Sequence, residues 1–195
     1  AASAVLGLSL LLPCGPTSVV QPDTGVEFPE ALDKQALVAT GVRKKFGAVK
    51  VYAVGLYLDP ASKLFAKGPS AEQLLKEAPG HASVRIVITS RLVSAAKLSS
   101  ALKESVQPRL KGLKAEEVEE VMGQFEGAFL EGPALRPGTA IVLRLEKVGI
   151  EMEVGKYKAS VKSPALAKAL LATYVDAKGV IPEFRDSILE RLKEQ

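Results

Sequence analysis

Residues 49–58 read Val49-Lys50-Val51-Tyr52-Ala53-Val54-Gly55-Leu56-Tyr57-Leu58, and this stretch decides the fold. Read as a strand, it sends Val49, Val51, Ala53, Gly55 and Tyr57 to one side and Lys50, Tyr52, Val54, Leu56 and Leu58 to the other. Both sides are largely apolar, so the strand is expected to be central and covered on both faces. A glycine in mid-strand marks a place where something approaches the backbone closely, and Gly55 is that position.

The flanking sequence alternates strand-like and helix-like patterns. Residues 26–29 form a short extended piece, and residues 84–92 (VRIVITSRL) a second good strand. Residues 139–146 and 149–154 read as a hairpin, in which Ile150, Met152 and Val154 alternate with Glu151 and Glu153. A further short strand is expected over residues 156–161. Leu98, Leu102, Val106 and Leu110 recur at four-residue spacing and predict a helix over 95–110. Val118, Met122, Phe125 and Phe129 do the same over 115–130, with a run of glutamates on the solvated side. Ser163-Pro164 is a helix start, serine as N-cap and proline in the first turn. A last helix begins near Pro182. The fold class is therefore α+β, a large antiparallel sheet with helices packed on it.

Composition narrows the function. The 195 residues carry a net charge of +4, with 47% apolar and 25% charged residues, enough for one domain with a real core. One cysteine, Cys14, excludes an intrachain disulfide framework, and with a single histidine, His81, it leaves no multi-residue Cys/His zinc site. His81 follows Pro79-Gly80 and is expected in a solvated loop. The densest basic run is Arg43-Lys44-Lys45, and there is no tryptophan, so a nucleic-acid platform is poorly supplied. No glycine-rich phosphate loop stands between a strand and a helix. The apolar run over residues 5–12 is too short to span a bilayer. Residues 1–22 are expected to be a targeting-sequence remnant or a disordered extension, with the folded domain spanning residues 23–195.

Three segments at short intervals carry a resemblance. They are Gly25-Val26-Glu27-Phe28-Pro29, Gly41-Val42-Arg43-Lys44-Lys45 and the strand from Val49 to Leu58. Ser163-Pro164-Ala165-Leu166-Ala167-Lys168-Ala169-Leu170-Leu171 and Gly179-Val180-Ile181-Pro182 add to it. Together they resemble the chalcone isomerase family, most specifically in the Gly-Val-Arg turn and the strand after it. The resemblance implies an open-faced β-sandwich, a large sheet covered by a layer of helices, with the ligand between them.

That family holds enzymes that close a chalcone to a flavanone, and relatives without the activity, among them plastid fatty-acid-binding proteins. The resemblance carries over residue by residue. The enzymes' arginine in the Gly-Val-Arg segment corresponds to Arg43. Where they use a threonine early in the next strand, Tyr52 stands. Where they use a tyrosine and an asparagine in a later helix, Lys97 and Glu104 stand. Near the start of the penultimate helix, Ala167 replaces their serine or threonine. Arg43 with Tyr52 resembles the fatty-acid-binding branch. The resemblance thus implies non-catalytic binding of a fatty acid or similar apolar acid, its carboxylate held by Arg43 and Tyr52. The alternative is an isomerase, an intramolecular lyase, using Arg43 as electrophile. A second reading of Arg43 is a basic surface turn with Lys44 and Lys45; Tyr52 could equally be a core aromatic, and Arg91 is a weaker candidate. No cofactor, metal or nucleic-acid partner is expected, nor a stable membrane span. A monomer is expected, in a plastid rather than a bacterial periplasm.

Overall fold

In the computed structural model, which describes residues 17–65 and 68–194, the deciding stretch is strand β5 (Val49–Leu58), third in a seven-stranded sheet. The elements before it are β1 (Ser18–Val20), β2 (Glu27–Pro29), β3 (Ala31–Leu32) and β4 (Gln35–Lys45). After it come α1 (Ala71–Glu77), β6 (Ala82–Ile88), α2 (Ala95–Val106), α3 (Ala115–Leu130), β7 (Ala140–Glu146), β8 (Gly149–Val154), β9 (Tyr157–Val161), α4 (Pro164–Val175) and α5 (Pro182–Lys193). Strands β3 to β9 lie in chain order, every neighbouring pair antiparallel. The fold is α+β, a large antiparallel sheet with its helices on one face. Among the described residues no helix is long and apolar enough to cross a membrane.

β5 is covered on both faces. Tyr52, Val54, Leu56 and Leu58 join the main core beneath the helices, whereas Ala53 and Tyr57 join a smaller cluster with Phe28 on the opposite face. A short β1–β2 ribbon covers that second face. Gly55 is where it comes closest: a Cβ there would meet Phe28 Cδ1 at 2.8 Å. The Tyr57 hydroxyl donates to the Pro29 carbonyl at 3.0 Å, and the Arg85 guanidinium lies 5.3 Å from the Phe28 ring centroid. Hydrogen bond and cation–π contact together hold the ribbon down.

α4 is the helix most deeply buried. Its apolar residues run almost all round it, and small alanines let it sit against β7 and β8 with α1, α2 and α5 around it. Ser163 Oγ accepts from the Leu166 amide, and Pro164 occupies the first turn, as the sequence indicates. α3 has the bounds its periodicity predicts, with Met122, Phe125 and Phe129 buried.

Ser18–Val20, before residue 23, pairs with Glu27–Pro29, and Gln21 is buried. Residues 1–16, with Cys14 and the apolar run taken for a targeting remnant, lie outside the described residues. Several expectations need correction. The second strand ends at Ile88 rather than residue 92, since the Ile88 carbonyl is taken by the Gly138 amide and pairing stops there. α2 ends at Val106 and passes into a 3-10 turn (Gln107–Arg109), because Pro108 has no N–H and cannot continue an α-helix. His81 is half-buried, not free in solvent, its Nδ1 3.6 Å from Asp59 Oδ2.

Candidate functional site

The Gly-Val-Arg segment is not a turn. It lies inside β4, and the turn follows at Phe46 and Gly47, both with positive φ. In the β4–β5 ladder Arg43 pairs with Tyr52 and Gly41 with Val54. Directly paired residues point to the same face of a sheet, so Gly41, Arg43 and Tyr52 all face the helices. Gly41 is required there by α5: a Cβ would lie 2.6 Å from Phe184 Cβ. Two residues on, Arg43 reaches the segment leading into α5, and its Nη1 donates to the Val180 carbonyl at 2.8 Å. The motif therefore seats α5 and ties down its approach, and Arg43 is not a solvated surface residue.

Arg43 lines a cavity of about 280 Å³, just under the roughly 300–1,000 Å³ usual for small-molecule sites. It lies between the start of β5 and α2. Val51, Val93, Leu98, Ala101 and Leu102 form much of its wall. Its polar side chains are Arg43, Lys45, Tyr52, Ser90, Lys97 and Ser105, and no aspartate or glutamate lines it. The result is a largely apolar cavity whose charged lining side chains are all cations.

Tyr52 is buried, and its hydroxyl lies 3.3 Å from that of Tyr174 on α4. Burial pushes both phenols up, partly opposed by the nearby positive charge of Arg43. Each hydroxyl therefore stays protonated in the neutral range and acts as a donor as well as an acceptor. The segment carrying Val180 is itself clamped: Arg109 makes a two-pronged contact with Asp176 at 2.7 and 3.0 Å and donates to the Lys178 carbonyl at 2.8 Å.

Of the positions carried over by resemblance, the structure brings Arg43, Tyr52 and Lys97 to one cavity. Glu104 is exposed on α2 and outside its lining, and Ala167 is fully buried, also outside it. Arg91 is exposed and does not line this cavity. Sequence reading missed the part played by Tyr174. Its spacing from Leu166 and Leu170 marks the buried face of α4, but nothing local shows that its hydroxyl meets that of a residue 122 positions away.

Comparison with known proteins agrees with this architecture. The family model described as chalcone isomerase-like matches residues 23–190. No curated protein matches the chain. Among solved structures, the crystal structure of a fatty-acid binding protein of Arabidopsis thaliana is similar, with a TM-score of 0.76 and 23% sequence identity. The match covers 91% of this chain and 98% of that one. At that identity the likeness speaks for the fold. With the family match running over most of its length, the chain belongs to the chalcone isomerase-like family.

Proposed function

We propose that this protein binds a fatty acid, or a similar apolar acid, in the cavity between β5 and α2, without catalysing a reaction on it. The observation that carries the reading is Arg43 lining a largely aliphatic cavity whose wall holds no carboxylate. A carboxylate cannot enter such a slot unpaired, because desolvation is too costly. A planar guanidinium can hold both of its oxygens, and the Tyr52 hydroxyl offers one further donor. Arg43 spends Nη1 on Val180, which fixes the plane of the fork and leaves its other N–H groups for a ligand. The acyl chain supplies the driving force: about 0.8 kcal/mol per buried methylene gives roughly 10 kcal/mol gross for a 16-carbon chain. Association and ordering cancel much of it. The likeness to a fatty-acid binding protein supports the same reading.

Mass spectrometry of lipid extracted from the purified protein tests it, together with melting in the presence of laurate or palmitate. Co-purifying acyl chains and a raised melting temperature are expected, and the absence of both would refute the reading. A chalcone absorbance assay addresses the alternative. Chalcone loss at the spontaneous rate is expected, whereas a rate proportional to protein concentration would establish the isomerase instead.

A further inference from the structure

Seven large apolar side chains stand exposed among the described residues, and three of them, Phe46, Val49 and Leu92, line the same cavity as Arg43. Phe46 is 94% exposed and Leu92 67%, so they form the lip of the cavity rather than its wall. They come from separate segments, Phe46 from the β4–β5 turn, Val49 from the first position of β5 and Leu92 from the loop after β6. Phe46 has φ 51° and Gly47 φ 75°. Asparagine or glycine takes such a turn position at little cost, and a bulky side chain does not. The Phe46 ring therefore costs backbone strain and, at its exposure, gains almost no packing within the chain.

The charged side chains of the lip are cations. Lys45 and Lys97 line the same opening and are exposed. Lys97 Nζ also donates to the Leu92 carbonyl at 3.2 Å, which ties the Leu92 loop to α2. No acidic side chain lines the opening to offset them. Apolar tips set among ammonium groups suit a lipid–water interface: the tips enter the acyl boundary and the cations meet the phosphates. A protein partner would need a preformed pocket for each tip, whereas a bilayer needs none.

We propose that the mouth of the cavity docks on an anionic lipid bilayer with Phe46 and Leu92 inserted, so that cargo passes between membrane and cavity without crossing water. The cargo rests on the lipid-binding reading above; the docking itself is measured without cargo.

The test is co-sedimentation of delipidated full-length protein with vesicles of phosphatidylcholine, alone or mixed with phosphatidylglycerol. Binding to the anionic vesicles is expected, weaker on phosphatidylcholine alone and weakened by salt. Phe46→Ser and Leu92→Ser should each lower vesicle affinity about tenfold, and Lys45→Glu several-fold or more. Val148→Ser should change nothing, since Val148 is an equally exposed tip at the β7–β8 turn, near the opposite end of β5. Melting curves verify that each variant is folded. No binding to anionic vesicles at low salt would overturn the proposal. So would unchanged binding by both serine variants, or a loss with Lys45→Glu alone, the pattern of a purely electrostatic contact such as an acidic protein makes. Laurate binding measured without vesicles separates the two readings. If it is absent while docking persists, the proposed function fails and the docking face stands; if it persists while docking is absent, docking alone fails.

Discussion

Arg43 and Tyr52 are directly paired across the β4–β5 ladder, so the guanidinium and the phenol project from neighbouring strands into one cavity. They differ in what else holds them. Arg43 is half-buried and bonded to the Val180 carbonyl; Tyr52 is buried and meets Tyr174. A headgroup that reaches the arginine is therefore next to a phenol held in place by a second one.

Under the proposed function, removing the guanidinium separates headgroup recognition from chain burial. Arg43→Ala should weaken laurate binding about 10- to 100-fold, the range of a charge-assisted hydrogen bond or two, and leave binding of methyl laurate nearly unchanged. Arg43→Lys keeps the charge without the planar fork and should fall between. Titration calorimetry with both ligands reads the difference. Equal losses for acid and ester would show that Arg43 acts only by holding the α5 approach. Loss of the Val180 bond itself should cost about 1 kcal/mol of stability.

The tyrosine pair makes an alkaline prediction. Burial pushes Tyr52 and Tyr174 up, and pushes Tyr57 up to about 12. In the unfolded chain these phenols release their protons near 10. A group with a raised folded value contributes stability that is complete below its unfolded value and is lost as pH rises toward the folded one. Melting temperature should accordingly fall as pH rises from about 10 toward 12, with most phenolate absorbance appearing together with unfolding. Tyr52→Phe leaves the Tyr174 hydroxyl buried without that partner and should cost about 1–2 kcal/mol. The double variant Tyr52→Phe with Tyr174→Phe should cost less than the sum of the two single changes.

How far the sequence reveals this architecture depends on how cleanly each element repeats. β5 alternates cleanly from Tyr52 to Leu58, and both its burial on two faces and the close approach at Gly55 could be read from it, but Val51 is skipped in the pairing and packs on the main core beside Tyr52 instead of with Ala53 and Tyr57. α3 keeps one helical stripe for its whole length. β4 is harder to read, because the pairing shifts register between Leu37 and Ala39, with Val38 the extra residue; the second shift, between Arg43 and Lys44, puts the extra residue, Val51, in β5. Each shift changes which face the next residue serves, so period-two alternation is lost. The neighbours Val38 and Ala39 consequently both pack on the main core, while Leu37 serves the opposite face. α1 has seven residues and buries Leu74 alone, too little for a periodic signal. Of the site, Arg43 and Tyr52 are legible only through resemblance, and the contribution of Tyr174 not at all, because it rests on a contact between distant parts of the chain.

The glycine seats are testable by adding one carbon. Gly41→Ala would place a Cβ 2.6 Å from Phe184 Cβ, and Gly55→Ala one 2.8 Å from Phe28 Cδ1. Overpacking of this kind costs about 1–3 kcal/mol. Only Gly41→Ala displaces α5 and with it the segment that Arg43 grips. Both variants should melt lower, but laurate affinity should drop in Gly41→Ala alone. Equal affinities would mean that α5 can shift without disturbing the cavity.

The clamp on that same segment should set part of the acid limit of stability. Hydrogen bonds from Arg109 hold the Asp176 carboxyl below the usual carboxylate range, helped by the Lys178 amide and opposed by burial. A carboxylate with a depressed folded value contributes stability that is present above its unfolded value, near 4, and is lost as pH falls toward the folded one. Asp176→Asn removes the charge and should flatten the decline in melting temperature below about pH 4. Arg109→Met leaves Asp176 partly buried without its cation and should cost about 2 kcal/mol at neutral pH, between the values for exposed and buried pairs. Asp176 also accepts the Lys178 amide at 2.8 Å, two residues before Val180. Loosening this turn should let the Val180 carbonyl drift from Arg43, so Arg109→Met is expected to weaken laurate binding severalfold although Arg109 does not line the cavity. Unchanged laurate affinity in a destabilised Arg109→Met protein would mean that Arg43 is oriented by β4 alone.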